Sequence, residues 1–121
     1  HEEVLEHMKA ADLLYSSLTG RYVGMGTATI EAMLLAVPTV VNTPLDLLGT
    51  ATLVDGEHLV QCTEHTPEAI AKCLRPLLSD EANRHRVGMG GRRFVQDHMS
   101  WPKVARDMSG LLNDLVVRRT A

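Results

Sequence analysis

The sequence predicts an α/β fold in which a small parallel sheet of about three strands is flanked by helices. Three short runs of apolar or β-branched residues, LLYSS, TVVN and LVQC, alternate with stretches whose apolar residues recur at helical spacing. Beyond the third run, the remaining residues show helical spacing only. Strands that alternate with helices form parallel sheets through right-handed crossovers, so this order predicts one layer of parallel strands.

The first third of the chain contains the signals for two helices, a strand and a loop. Apolar residues at helical spacing predict a helix over 3–11, and the run 13–17 is typical of a buried strand. Residues 19–26 contain three glycines and therefore predict a loop. The second helix is expected to begin at Thr27 and to end near Pro38.

The middle of the chain predicts the other two strands. The run 39–42 is β-branched and lies between prolines. The pattern of 45–54 suggests a short helical piece, which is broken by the turn pair Asp55-Gly56. The third strand is expected over 59–62.

Three further helices are predicted after the last strand. The first begins with the cap sequence Thr66-Pro67-Glu68, the second covers 80–98, and the third begins at 100–102. Three glycines interrupt the second helix, since each weakens a helix by up to ~1 kcal/mol relative to alanine. The first and third helices each have an apolar face, formed by Ile70, Cys73, Leu74 and Leu77 and by Val104, Met108, Leu111, Leu112 and Leu115, respectively.

Composition excludes several classes of protein. A chain of 121 residues is at most one domain, and a formal net charge of -3 without a lysine cluster gives no footprint for nucleic acid. No apolar run reaches the ~18 residues of a membrane span, and no signal peptide is recognisable, so we expect no stable membrane insertion. The two cysteines, Cys62 and Cys73, exclude a disulfide framework and favour the reducing cytoplasm as the location.

The first residue is His1 rather than methionine. This indicates either that a longer protein was cut here or that His1 remains from a purification tag. Three parallel strands also make only about half of a doubly wound sheet, so we interpret 1–121 as a single truncated domain.

The segment VGMGTATIEAM, between the first strand and its helix, carries the clearest chemical signal. Gly24 and Gly26 let backbone N–H groups approach a ligand closely, and they stand where a helix start offers unpaired donors to an anion. In a parallel sheet this loop lies at the carboxyl end of a strand, the usual ligand edge. A tight turn without a ligand explains the same spacing equally well. Glu31, one turn into the helix, is either a ribose acceptor or a solvated acid.

The same segment carries a family resemblance. The run from Met25 through TATIEAMLLAVPTVVNT, followed by Asp55-Gly56, resembles the donor-binding half of the retaining GT-B glycosyltransferases, which use nucleotide sugars. EEVLEHMKAADLLYSS upstream and TPEAIAKCLRPLLSDEANRHRVGMGGRRFVQDHMSW downstream are similar to the flanking landmarks of that family. The resemblance covers nearly the whole chain. It implies a partial Rossmann-like parallel sheet that corresponds to the carboxyl half of a GT-B C-terminal domain.

The resemblance also implies roles for individual residues. Gly24, Gly26 and Thr27 match the loop whose backbone faces the diphosphate, and Glu31 matches the second glutamate of the family's pair, which holds the ribose. The first glutamate, which touches the donor sugar, falls at Val23, and valine offers no acceptor to sugar hydroxyls. Arg21 is a candidate diphosphate contact, although a surface arginine is the more ordinary interpretation.

These roles lead to two functional hypotheses. In the first, the chain is the donor-binding portion of a glycosyltransferase, binds a nucleotide diphosphate or nucleotide sugar, and is inactive in isolation, because the acceptor domain and the family's basic pair are missing. It has no catalytic residues of its own, no resident cofactor and no metal. In the second, it is a degenerate, non-catalytic interaction module that homo-oligomerises through an open sheet edge near 13–17.

Other groupings of reactive residues have ordinary explanations. His58, Cys62 and His65 come nearest to a metal site, yet a core cysteine with exposed histidines accounts for them. A nucleophilic pair of Cys62 with His65 would lack an oxyanion hole. The predicted helix 80–98 carries a basic patch that could contact phosphate or an anionic membrane surface, but nearby acids dilute it and favour a solvated face. Its members are Arg84, Arg86, Arg92 and Arg93.

Overall fold

The computed structural model describes residues 1–16 and 24–120, and within them it confirms an α/β fold with a three-stranded parallel sheet and five helices. In chain order the elements are α1 (Glu2–Ala10), β1 (Leu14–Ser16), α2 (Thr27–Leu34), β2 (Thr39–Val41), β3 (Val60–Gln61), α3 (Pro67–Ser79), α4 (Glu81–His98) and α5 (Trp101–Thr120). The strands lie in the order β1-β2-β3.

The register of the sheet brings the carboxyl ends of the strands to one edge. Tyr15 of β1 lies opposite Val40 of β2, and Val40 in turn lies opposite Val60 of β3. Both pairs of strands run parallel. The segments that follow β1, β2 and β3 therefore leave the sheet on the same side, which is where ligands bind in open α/β sheets.

The two faces of β2 bury two separate apolar clusters, because neighbouring strand residues point to opposite faces. Val41 belongs to one cluster, with the buried Met33, Leu53, Leu59, Phe94 and Val95. Val40 belongs to the other, with the fully buried Cys62, Leu77 and Val87. The central strand is thus covered by helices on both sides, as in other parallel sheets.

The glycines of α4 allow the helix to pack directly on backbone, and they do not interrupt it as predicted. The helix is continuous over Glu81–His98. A Cβ at Gly88 would collide with the Ala36 carbonyl oxygen, and one at Gly90 would collide with the Glu57 carbonyl oxygen. Ala36 itself has a φ of 59°, the left-handed region that L-residues seldom adopt. Close approach to the segments before β2 and β3 explains the glycines.

The predicted short helix over 45–54 is wrong. This segment consists of turns and bends, and Gly49 adopts a φ of 69°, which no α-helix accommodates. The Leu53 N–H donates to the Leu45 carbonyl at 2.8 Å, so the segment folds back on itself. The apolar spacing that suggested a helix instead places Leu53 in the core at 1% exposure.

The starts of α3 and α5 were predicted closely. The Thr66 hydroxyl accepts a hydrogen bond from the Ala69 N–H at 3.2 Å and caps α3, with Pro67 in the first turn. Helix α5 begins at Trp101, but none of its described side chains is buried. The five residues of its predicted apolar face are each between 40% and 60% exposed; they are Val104, Met108, Leu111, Leu112 and Leu115. Among the described residues, no helix combines the length and the apolar character that crossing a bilayer requires.

Candidate nucleotide-binding site at the start of helix α2

The start of α2 lies at the carboxyl edge of the sheet, and the described residues leave two of its backbone donors without acceptors. Gly26 is the N-cap residue, with extended backbone angles, and its carbonyl accepts hydrogen bonds from the Thr29 and Ile30 amides at 3.0 and 3.2 Å. No side chain of the described residues caps the helix. Within that part of the chain the amides of Thr27 and Ala28 have no acceptor. A helix end left in this state is suited to an anion, because its donors and its dipole both favour negative charge.

The described atoms leave space around this helix start. A Cβ at Gly24 would meet nothing within 4 Å. Thr27 and Ala28 are exposed, whereas Thr29 points into the protein and is 1% exposed. The turn is therefore open toward solvent among the residues that the structure describes, which is the arrangement that a diphosphate would need.

Glu31 lies one turn further along α2, with its side chain 22% exposed. One carboxylate oxygen, Oε1, lies 3.1 Å from Nε2 of His1, at the start of α1. The His1 ring is itself 67% exposed. The carboxylate is thus accessible and already holds a polar partner, as it would hold ribose hydroxyls.

Two residues of the predicted site, Arg21 and Val23, lie outside the described residues. Their roles as a diphosphate contact and as the changed donor-sugar position stay predictions. The four others, Gly24, Gly26, Thr27 and Glu31, lie within one continuous turn and helix.

Two buried threonines near this edge were not found from the sequence. The Oγ1 atoms of Thr29, in the first turn of α2, and of Thr43, just after β2, are buried without a partner among the described residues. Burying an unpaired hydroxyl costs about 1–3 kcal/mol. The Gln61 amide holds Thr43 in place, donating from Nε2 to its carbonyl at 2.8 Å. In the sequence, Thr43 is a polar residue directly after the β-branched run 39–42, and this pattern could have identified it.

The histidines and cysteines do not assemble into a metal centre. In the described ranges, no group of three or more His, Cys, Asp or Glu side chains is arranged to hold a metal ion. His58 Nδ1 accepts the Val54 N–H at 2.9 Å, His65 Nδ1 contacts the Tyr15 hydroxyl at 3.2 Å, and the Cys62 thiol donates to the Glu64 carbonyl at 3.4 Å. Each of these side chains therefore has a separate structural partner.

The predicted basic patch also divides into separate contacts. The Arg84 guanidinium donates to the carbonyls of Leu77 and Leu78 at 2.9 and 3.0 Å, which satisfies the end of α3. Arg86 donates to the Asn83 amide oxygen at 2.7 Å. Arg92 and Arg93 are exposed. Arg84 thus has a structural role that a purely solvated face did not predict.

The chain shares its fold with part of a protein of known structure. No protein-family model and no curated protein sequence matches the chain. A solved structure that matches is a sucrose-phosphate synthase from Thermosynechococcus elongatus, with a TM-score of 0.75 and 23% sequence identity. The alignment covers 98% of this chain and 29% of that one. This chain has the fold of part of a GT-B glycosyltransferase.

That relationship confirms the fold which the landmarks around Glu31 implied. The chain spans less than a third of the length of the synthase it matches. At this level of sequence identity the likeness concerns the fold alone.

Proposed function

We propose that this chain is the carboxyl-terminal, donor-binding portion of a glycosyltransferase and that the start of α2 binds the diphosphate of a nucleotide or nucleotide sugar. The observation that carries the proposal is the Gly26 N-cap, which leaves the Thr27 and Ala28 amides without acceptors in the described part of the chain. These donors stand at the carboxyl edge of a parallel sheet, where the helix dipole adds a further attraction for phosphate oxygens.

Glu31 is proposed to bind the ribose. A carboxylate accepts two hydrogen bonds at once, and the paired hydroxyls of a ribose offer two donors at a matching separation. The side chain lies one helical turn from Thr27 and remains accessible. For ribose to bind, the Glu31 carboxylate exchanges its contact with His1 for contacts with the sugar.

We propose that this portion binds nucleotide without transferring a sugar. Glycosyl transfer requires donor and acceptor to be held together in one cleft, since much of the rate comes from orientation. The GT-B resemblance implies a separate acceptor-binding domain, which residues 1–121 do not include. A cytoplasmic location is proposed on the basis of the two free thiols.

Thermal melting with and without millimolar UDP, GDP or ADP tests this proposal. A nucleotide present at 100 times its dissociation constant is expected to add about 2.7 kcal/mol of stability. Glu31→Gln and Glu31→Ala are expected to abolish most of the shift, while Glu68→Ala, at an exposed acid in the first turn of α3, leaves it unchanged. Failure of all three nucleotides to raise the melting temperature would overturn the proposal.

We also propose self-association through the outer edge of β1. The opposite edge of the sheet is blocked, because the Gln61 N–H of β3 donates to Asp55 Oδ1 at 2.8 Å and the Gln61 carbonyl accepts from the Cys73 thiol. Strand β1 pairs with β2 on one side only in the described structure. An edge strand left in this state can pair with a second copy of the chain.

A further inference from the structure

Two thiols meet on the face of the sheet that α3 covers. Cys62 directly follows β3 and is 2% exposed. Cys73, on α3, is half-buried and packs against the apolar cluster to which Cys62 belongs. The Cys73 thiol donates to the carbonyl of Gln61, the residue before Cys62, at 3.6 Å, and both cysteines are free. The fold has therefore brought two free thiols from different elements to the same part of the core.

A cleft gives solvent access to this pair. It has a volume of about 520 Å³, lies between β3, α3 and α4, and both cysteines line it. A volume of this size admits a small organic molecule. Lys72 and Arg86 also line the cleft and belong to no ion pair among the described residues. Asp55 and Glu64 line it as well, so the charged side chains of the cleft give it no net formal charge.

We propose that Cys62 and Cys73 are a redox modification site, which a small organic disulfide oxidises to an intramolecular disulfide. The more accessible Cys73 loses its proton and attacks one sulfur of the small disulfide, which releases one thiol. Cys62 then loses its proton and attacks the Cys73 sulfur, which releases the second thiol. Two protein thiols are oxidised, one small disulfide is reduced to two thiols, and the two protons end on those thiols.

The surroundings of the pair determine the speed of each step. Burial, followed by the contact with Cys62, raises the pKa of the Cys73 thiol to about 11. Because the thiolate is the nucleophile, the first step is slow at neutral pH. Its rate is expected to rise about tenfold for each unit by which the pH increases, as long as the pH stays below the pKa of Cys73. The second step is fast, since Cys62 is already beside Cys73. The new bond ties the end of β3 to α3.

Treatment with oxidised glutathione between pH 7 and pH 9, followed by alkylation and intact-mass measurement, tests the site. The expected product is a monomer that has lost two hydrogens and takes up no alkylating agent, formed about a hundred times faster at pH 9 than at pH 7.

Two variants make the outcome unambiguous. Cys62→Ala is expected to stop at a stable mixed disulfide on Cys73, and Cys73→Ala is expected to resist oxidation, because Cys62 alone is almost fully buried. Peptide mapping of the oxidised wild type is expected to show the Cys62–Cys73 cross-link. A mixed disulfide that persists in the wild type, covalent dimers, or unreacted thiols after treatment at pH 9 would each overturn the proposal.

Discussion

The Glu31 carboxylate and the His1 imidazole lie 3.1 Å apart, Oε1 to Nε2, and this contact joins the start of α1 to the helix of the candidate site. His1 is the more exposed partner, so it can leave without disturbing the core. The His1 ring and the proposed ribose would therefore compete for the Glu31 carboxylate.

Removing His1 is expected to tighten nucleotide binding. An exposed polar contact of this kind is worth at most about 1 kcal/mol, so His1→Ala is expected to lower the dissociation constant by up to about fivefold. Isothermal titration with the nucleotide that gives the largest thermal shift measures this change. The control is His7→Ala, which removes an exposed ring bonded to the Glu3 carbonyl within α1. Weaker binding of His1→Ala would show that the ring assists the ligand instead of competing with it.

Adding a methyl group to Gly88 is expected to destabilise the fold, because the Cβ would strike the Ala36 carbonyl oxygen. Overpacking of this kind costs about 1–3 kcal/mol, and backbone on both sides limits relaxation. Gly110→Ala in α5 is the matched control, since its Cβ would meet nothing within 4 Å. Urea unfolding is expected to show a loss for Gly88→Ala and none for Gly110→Ala; equal effects would contradict the packing described for α4.

The left-handed backbone of Ala36 gives a prediction of opposite sign. A φ of 59° costs a residue with a Cβ about 1–2 kcal/mol, whereas glycine adopts it freely. Glycine also makes the unfolded chain more flexible, which lowers the free energy of unfolding by about 0.4–1 kcal/mol. Relief of the strain is the larger effect, so Ala36→Gly is expected to stabilise the protein by a net ~0.5–1 kcal/mol. Ala32→Gly, inside α2, is expected to destabilise it by at least ~1 kcal/mol. A loss of stability in both variants would show that Ala36 is not strained.

Stability is expected to fall as the solution is acidified, through His58. Burial is the main cause that lowers the pKa of His58 in the folded protein, with Glu57 acting in the opposite direction. The neutral ring accepts the Val54 N–H, and a protonated ring cannot. The neutral His58 ring therefore contributes its full stabilisation above its pKa in the unfolded chain, about 6.5. This stabilisation is lost as the pH falls toward the lower pKa of His58 in the folded protein.

Urea unfolding at pH 7.5 and at pH 5.5 measures this effect. His58→Gln is expected to reduce the difference between the two pH values, and His85→Gln, at an exposed histidine of α4, is expected to retain it. An unchanged pH dependence in His58→Gln would assign the acid sensitivity to other groups.

Self-association through β1 predicts a specific response to surface changes. Sedimentation velocity at tens of micromolar is expected to show a dimer. Leu115→Lys, on the exposed face of α5, is expected to leave the dimer intact if the contact is the edge of β1. A monomeric wild type contradicts self-association, and a monomeric Leu115→Lys variant places the contact on α5.

Local chemistry in the sequence was sufficient to predict some of these features. The cap at Thr66 depends on residues within one turn, so the start of α3 was predicted correctly. The position of Glu31 on α2 follows from helical spacing in the same way. The role of Gly88 depends on Ala36, more than fifty residues away in the chain, and helix propensity alone suggested an interruption. The contact between Glu31 and His1 also joins distant residues, and no local pattern announces it.

The most direct test of the nucleotide site is an amide chemical-shift titration of the labelled protein with UDP, GDP and ADP. We expect the largest shifts at the backbone amides of Gly26, Thr27 and Ala28, because these donors would bond to the diphosphate. Inorganic pyrophosphate is expected to shift the same amides more weakly, since it cannot engage Glu31. Shifts confined to the cleft beside Cys73, or no shifts at saturating nucleotide, would contradict the account.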